Sequence, residues 1–127
     1  MSLSPADRFQ AFVLTANRSR AIPFYRDVIG LPLLAEDPFA ATFDIGGEAT
    51  MRLTDHQGWE PMAHTVVGWV VQDIEAAVRA LADQGVACAI YDGFGQDDLG
   101  IWSGPGAKVA WFKDPDGNVL SYTQMTG

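Results

Sequence analysis

Carboxylates and aromatic rings are the side chains of this 127-residue chain that could act on a small molecule or hold one. Asp92, Asp97 and Asp98 fall in one glycine-rich segment, 92–106, where a carboxylate could serve as a general base. Charged loop residues are usually only solvated, and the sequence offers no nucleophile–base pair and no evident buried pair of carboxylates. The residues alone therefore assign no catalytic mechanism.

The four tryptophans are more than a core of this size requires. Trp69 and Trp111 fall inside predicted strands, which favours a place in the core or in an interface. Trp59 and Trp102 fall in predicted loops. A flat stacking ligand, a dimer partner or simple covering of the core would explain each of them. We favour the core-covering role for Trp59 and a pocket role for Trp102.

Sixteen acidic and eight basic residues give the chain a net charge of −8. This charge disfavours nucleic acid or an anionic membrane as partner, and it either solvates the surface or attracts a cationic ligand. No apolar run is long enough to cross a bilayer and no secretion signal is recognisable, so we predict a cytoplasmic protein. Cys88 is the only cysteine, which excludes an internal disulfide and favours a buried structural thiol.

The apolar periodicity predicts the order β-α-β-β-β twice. Asn17 and Asp73 are the predicted N-caps of the two helices, and Gly30 and Gly85 the predicted ends. Pro23 predicts an irregularity early in the first helix. The Gly46-Gly47 pair predicts a two-residue hairpin. The predicted strands are 9–14, 33–36, 40–45 and 48–54 in the first copy, then 65–71, strands from Val86 onward and a short strand near 99–102 in the second.

A duplicated unit of this kind predicts one domain, 1–127, in which two modules, about 8–56 and 65–125, are joined by a linker at 57–64. His56 and His64 flank that linker and are predicted to be exposed. The segment 92–106 is longer than most connections in a compact domain, which favours a binding loop or a lid.

Two motifs at opposite ends of the duplicated order carry a family resemblance. The first is Phe-Tyr-Arg-Asp-Val-Ile-Gly-Leu at 24–31, and the second is the Asp-Pro-Asp-Gly-Asn hairpin at 114–118. Over residues 9–124 the chain resembles the vicinal oxygen chelate superfamily, the group of glyoxalase I, bleomycin-resistance proteins, fosfomycin-resistance enzymes and extradiol dioxygenases. The resemblance implies an α+β fold: two βαβββ repeats form a curved mixed sheet, a half-barrel cup, with the helices on the outside.

Metal-dependent members of that superfamily take ligands from the first and last strand of each half. The matching positions in this chain are Gln10, Arg52, Val66 and Ser121. Gln10 could be a ligand, but Val66 has no donor and Arg52 would place a permanent positive charge beside the metal. We therefore predict no metal and no other cofactor.

Strand alternation places further side chains in the predicted cup. Phe12 and Leu14 join Gln10, Thr50 and Thr54 join Arg52, Gly68 and Val70 join Val66, and Val119 and Thr123 join Ser121. The predicted ligand-binding residues are Gln10, Phe12, Phe39, Arg52, Trp102 and Ser121. Arg52 would bind a carboxylate or phosphate of the ligand, or else pair with Asp37, Asp44 or Glu48. Phe39 would close the rim or pack within its hairpin.

The resemblance suggests a small-molecule-binding protein, similar to the metal-free bleomycin-resistance members, that holds a planar, aromatic or cationic ligand. Those members bind across a dimer groove, so a homodimer is expected here as well. The alternative is a glyoxalase- or dioxygenase-like enzyme, a lyase or oxidoreductase of unknown substrate. A third possibility is an accessory domain whose cup recognises a metabolite or a partner peptide. Whether the chain is an enzyme stays open on the sequence alone.

Overall fold

The computed structural model describes residues 2–127, and the chain divides into two compact units, Met1–Glu60 and Pro61–Gly127. Each unit contains one four-stranded mixed sheet and one α-helix, as the predicted repeat requires. The boundary between them falls within the predicted linker at 57–64. The fold is therefore α+β with two βαβββ modules, and the single-domain interpretation stays a prediction.

The first unit has the sheet order β1-β4-β3-β2, in which β1 and β4 are parallel and the other neighbours antiparallel. Its α-helix is followed directly by a π-helical segment. The elements are β1 (Gln10–Thr15), α1 (Arg18–Pro23), the π-helix (Phe24–Ile29), β2 (Leu33–Glu36), β3 (Ala40–Gly46) and β4 (Ala49–Asp55).

The predicted irregularity at Pro23 is confirmed as the change from α-helix to π-helix. The Asn17 side chain caps the first turn by accepting a hydrogen bond from the Arg20 N–H. Proline has no N–H to donate, and the wider π-turn starts at the next residue, Phe24. Gly30 ends the segment with φ at 92°, a left-handed conformation that glycine adopts without strain.

The β3–β4 hairpin lies one residue later than Gly46-Gly47 predicts. Gly46 pairs with Ala49, so the two turn residues are Gly47 and Glu48, with φ at 58° and 66°. Two left-handed residues in succession suit the twist of a tight hairpin, and a register shift between Asp44 and Gly46 accommodates the extra residue. The predicted strand start at Glu48 is therefore wrong by one position.

The second unit repeats the order as β5-β8-β7-β6, again with a parallel first pair. Asp73 caps its helix as predicted by accepting a hydrogen bond from the Ala76 N–H. The elements are β5 (Thr65–Val70), α2 (Ile74–Asp83), β6 (Trp102–Gly104), β7 (Ala107–Lys113) and β8 (Val119–Met125).

The strand predicted from Val86 onward is wrong. Residues 84–101 contain no helix or strand, and they form a loop that begins earlier than the predicted segment 92–106. One backbone hydrogen bond, from the Ala89 N–H to the Trp111 carbonyl at 2.7 Å, connects this loop to β7. An isolated bond does not build a ladder, so the apolar run from Val86 to Ile90 is not a strand.

One face of each sheet is buried by the helix of its own unit. In the first unit Tyr25, Phe43, Met51, Leu53 and Val13 are fully buried, and in the second Phe112, Leu120, Ile74 and Leu81 are. Alternation along the strands leaves the opposite face for other side chains. We call this opposite face the open face of each sheet. No helix within residues 2–127 is long and apolar enough to cross a membrane.

The hairpin between β7 and β8 is held by a buried carboxylate. Asp114 is 5% exposed, and its Oδ1 accepts hydrogen bonds from the Asp116 and Asn118 N–H groups, both at 2.9 Å. Its Oδ2 accepts from Nδ2 of Asn118 at 2.8 Å. Gly117 completes the turn with φ at 91°. The interpretation of Asp114 as a turn residue bound to the local backbone is confirmed.

We expect Asp114→Ala to lower the free energy of unfolding by about 2 kcal/mol, because buried donors lose a charged acceptor. Asp114→Asn should cost less, since it keeps one acceptor oxygen. Urea denaturation followed by circular dichroism measures both. Asp98→Ala, at an exposed loop position, is the matched control. Equal midpoints for Asp114→Ala and Asp98→Ala would show that the carboxylate does not stabilise the turn.

Candidate functional site

The open face of the first sheet carries three of the predicted site residues. Gln10 pairs with Thr50, and Phe12 pairs with Arg52 in the parallel register of β1 and β4. The Gln10 amide donates to the Thr50 hydroxyl at 3.0 Å. Phe12 is 61% exposed, which is unusual for so large an apolar side chain in a strand.

Arg52 makes one of the ion pairs that the sequence left open. Its guanidinium lies 3.0 Å from Oδ2 of Asp37. Oδ1 of the same carboxylate accepts from the N–H groups of Phe39 and Ala40. These bonds, the Phe39 N–H foremost and Arg52 after the two amides, hold the pKa of Asp37 below its usual value. Asp37 thus fixes the turn that carries the exposed Phe39 ring.

Ser121 and Trp102 both lie on the open face of the second sheet. Ser121 pairs with Gly68 on one side and with Trp111 on the other. Trp102 pairs with Val109, which lies two residues before Trp111 in β7 and so projects to the same face. Paired residues project to the same side of a sheet. The open face therefore also holds Trp111, which the sequence placed in the core or an interface.

Val66 does not continue the predicted alternation. The ladder passes from Thr65, paired with Val119, to Val67, paired with Leu120, so Val66 is an extra residue at a bulge. Period-two reasoning assumes a regular strand, and the bulge breaks it. Gly68 nevertheless pairs with Ser121, so these two residues share one face of the sheet.

Three aromatic rings, which we call the aromatic cluster, project from this part of the second unit: Tyr91, Phe94 and Trp111. Their centroids are 5.4 Å apart for Tyr91–Phe94, 5.6 Å for Tyr91–Trp111 and 5.7 Å for Phe94–Trp111. The two pairs with Trp111 are nearly perpendicular, a favourable edge-to-face geometry. The sequence reasoning missed Tyr91 and Phe94. Their only signal was the setting, a long glycine-rich loop.

Two cavities adjoin the aromatic cluster. The first cavity, of about 260 Å³, is lined by Ala63, His64, Thr65, Tyr91, Phe94, Trp111 and Val119. The second cavity, of about 330 Å³, is lined by Gly93, Phe94, Trp102 and Trp111. Both are at the small end of the size range of ligand sites. His64 is exposed, as predicted, and it also lines the first cavity.

Gln96 holds the loop that carries Tyr91 and Phe94. Its side-chain oxygen accepts from the Tyr91 N–H at 2.7 Å, and its side-chain nitrogen donates to the carbonyls of Ala89 and Gly100 at 2.8 and 2.7 Å. One amide therefore satisfies three backbone groups. The loop is ordered by its own hydrogen bonds, although it has no regular structure.

Trp102 is placed by the glycine two residues later. A Cβ on Gly104 would lie 2.7 and 2.8 Å from two atoms of the Trp102 six-membered ring, closer than such contacts occur. The indole therefore lies across the bare backbone of Gly104 and forms one wall of the second cavity.

The remaining candidate residues show structural rather than chemical arrangements. Oδ1 of Asp97 accepts from the N–H groups of Leu99 and Ile101, which is a turn role. Asp92 and Asp98 are exposed. Trp59 is half-buried, and its indole nitrogen is buried without a hydrogen-bond partner among residues 2–127.

The sequence profile of the glyoxalase/bleomycin resistance protein/dioxygenase superfamily matches residues 9–122. The chain belongs to this superfamily. The family resemblance drawn from the two motifs is confirmed. A search of curated protein sequences found no match.

Solved structures of superfamily members share the fold. An antibiotic-binding protein from Streptomyces sp. CB03234 has a TM-score of 0.75 at 24% identity, covering 98% of this chain and 100% of its own. A superfamily member from Sphaerobacter thermophilus has a TM-score of 0.74 at 22% identity, covering 94% and 97%. A lactoylglutathione lyase from Agrobacterium tumefaciens has a TM-score of 0.71 at 16% identity, covering 94% of each chain.

The residues that the resemblance matches to metal-ligand positions do not fit a divalent cation. Val66 has no donor atom, Arg52 is a cation paired with Asp37, and the Ser121 hydroxyl lies against Gly68. Gln10 and Ser121 offer only neutral oxygens, and no carboxylate, imidazole or thiolate stands at these four positions. Within residues 2–127 no group of three or more His, Cys, Asp or Glu side chains is placed to hold a metal.

Gln96→Leu should raise the hydrogen-exchange rate of the Tyr91 amide at least about tenfold, because the substitution removes its acceptor and loosens the loop. NMR-detected exchange resolves this amide from that of Val71, which donates to Thr123 in the sheet and should not change. Gln72→Leu, at an exposed glutamine, is the matched control. Unchanged protection at Tyr91 would mean that the loop is ordered by something other than the Gln96 amide.

Cys88 should react slowly with a disulfide reagent at about pH 8. Burial, and secondarily the charge of Asp97, raises the pKa of this thiol above its usual value, so the folded protein holds less of the reactive thiolate. Release of thionitrobenzoate from Ellman's reagent measures the rate. We expect it to be lower in the native protein than in urea, and to keep rising above about pH 9. Equal native and unfolded rates would contradict the raised pKa.

Proposed function

We propose that the chain is a small-molecule-binding protein that takes a planar aromatic ligand at the open face of the second sheet. The observation that carries this proposal is the aromatic cluster with a cavity on either side of the Phe94–Trp111 pair. Phe94 is 48% exposed, so its ring holds apolar surface in water that a stacking ligand would cover.

The order of the loop supports binding by a preformed surface. The hydrogen bonds of Gln96 fix the backbone that carries Tyr91 and Phe94 before any ligand arrives. A surface already ordered loses less conformational entropy when a ligand binds, so less of the contact energy is lost.

Charge favours a cationic or neutral ligand over an anionic one. The net charge of −8 attracts cations and raises their local concentration. Aromatic faces add cation–π attraction for a ligand whose positive charge is spread over a ring. A solved superfamily member of the same fold is itself described as an antibiotic-binding protein, which supports this class of function.

The proposal includes three further elements that come from the sequence and the resemblance: binding without a metal, action in the cytoplasm and a homodimeric state. The proposed ligand contacts in the first unit are Gln10, Phe12, Phe39 and Arg52. Those in the second unit are Ser121 and Trp102. For Arg52 the ion pair with Asp37 is the competing role, since it already engages part of the guanidinium.

Isothermal titration calorimetry with two probes of similar size tests the function. One probe is neutral, 2-naphthol, and the other is the cation N-methylquinolinium. We expect both to bind, with the cation tighter at low salt and the difference smaller at high salt because charge attraction is screened.

Trp102→Leu should weaken 2-naphthol binding by about tenfold through loss of a stacking wall. Phe9→Ala, which removes an exposed aromatic ring that lines neither cavity, is the matched control. Absence of binding by both probes at millimolar concentration would reject the proposed function.

A further inference from the structure

The two cavities of the second unit share one wall. Phe94 and Trp111 line both cavities, whereas the other lining residues belong to one cavity or the other. The two rings meet at 5.7 Å with an angle of 76° between their planes, so the edge of one ring closes against the face of the other. The contact between these two rings lies where the two cavities adjoin.

The two halves of the wall are held very differently. Trp111 stands in the interior of β7, where it pairs with Ser121 of β8, and its carbonyl accepts from Ala89. Phe94 stands in the loop between Gly93 and Gly95, whose φ values of 84° and 69° lie in the left-handed region that favours glycine. Phe94 is therefore the part of the wall that can change without disturbing the sheet.

We propose that Phe94 is the specificity-determining residue of this site, and that it limits the ligand to a single fused ring system. This inference rests on the proposed function. With Phe94 in place, a planar ligand occupies one cavity at a time. An elongated molecule with two rigidly joined aromatic groups needs the volume that the Phe94 ring fills, so its second ring stays in water.

Removal of the Phe94 side chain should join the cavities into one trough floored by Trp111. Such a trough bounds an elongated ligand with Trp102 at one end and Tyr91 at the other, since these rings line the two cavities separately. A fused two-ring ligand gains nothing from the larger space, and it loses a stacking partner. Phe94→Ala therefore moves affinity in opposite directions for the two ligand shapes.

The test compares 2-naphthol with trans-4-hydroxystilbene, which has two phenyl groups joined by a rigid double bond. The measured quantity is the ratio of the dissociation constant of 4-hydroxystilbene to that of 2-naphthol, obtained by titration calorimetry. We expect Phe94→Ala to lower this ratio by about tenfold, from burial of the second ring and loss of stacking for 2-naphthol. Phe94→Leu should lower it less, and Phe9→Ala should leave it unchanged.

A crystal structure of Phe94→Ala gives a second, independent reading. We expect one continuous cavity bounded by Tyr91, Trp102 and Trp111. Collapse of Tyr91 or Trp111 into the vacated space, or an unchanged ratio in a variant that still binds 2-naphthol, would overturn the inference and leave the proposed function standing. If the unaltered protein binds neither probe, the proposed function fails, and the role of Phe94 in specificity fails with it. A continuous cavity in the Phe94→Ala structure would then show only that the Phe94 side chain divides the two cavities.

Discussion

A loop without helix or strand must find other partners for its backbone polar groups, and in residues 84–101 one side chain supplies three of them. Gln96 can do this because a side-chain amide both donates and accepts hydrogen bonds. It accepts from the Tyr91 N–H and donates to the carbonyls of Ala89 and Gly100. Backbone polar groups left unpaired away from water would lower the stability of the ordered loop. The position of two rings of the aromatic cluster depends on this amide.

Glycine makes the same loop compact. Gly100 is buried with φ at 88°, and a Cβ there would lie 2.7 Å from the Cβ of Cys88. The chain can therefore return close to its own start, which brings Gly100 within reach of Gln96. The Cβ of Cys88 packs against Gly100 at this crossing, and the Cys88 side chain is half-buried, whereas the sequence favoured a buried thiol.

Most of the fold could be predicted from the sequence because local rules decide it. The caps Asn17 and Asp73, the left-handed Gly30 and the turn at Asp114 each act within a few residues, and the structure confirms all four. The errors lie where the chain departs from regular pairing: the β3–β4 turn is one residue later than predicted, Val86 to Ile90 form no strand, and Val66 is an extra residue at a bulge. The bulge at Val66 is set by pairing with β8, which is distant in the sequence, and the residues next to Val66 do not predict it.

The site was harder to predict than the fold for the same reason. Ser121 could be placed on the predicted cup face by alternation, and Trp102 could be assigned a pocket role from its position in the glycine-rich loop. Tyr91 and Phe94 could not, because no period governs a loop whose path is fixed by a single side-chain amide. Trp111 was predicted to lie in a strand, as it does, but it was assigned a core or interface role.

Two small residues, Ser121 and Gly68, lie in the same row as Trp111 on the open face of the second sheet. Ser121 stands where the resemblance places a metal-binding acid, and it is the cross-strand neighbour of Trp111. A longer side chain at this position would lie beside the indole and cover part of its face. Gly68, the next neighbour in the row, has no side chain, and a Cβ there would overlap the Ser121 hydroxyl. A row of two small residues thus leaves space on this side of Trp111, which is half-buried. The small side chain at position 121 therefore offers no carboxylate and leaves space beside the indole, two features that the proposed aromatic binding without a metal would use.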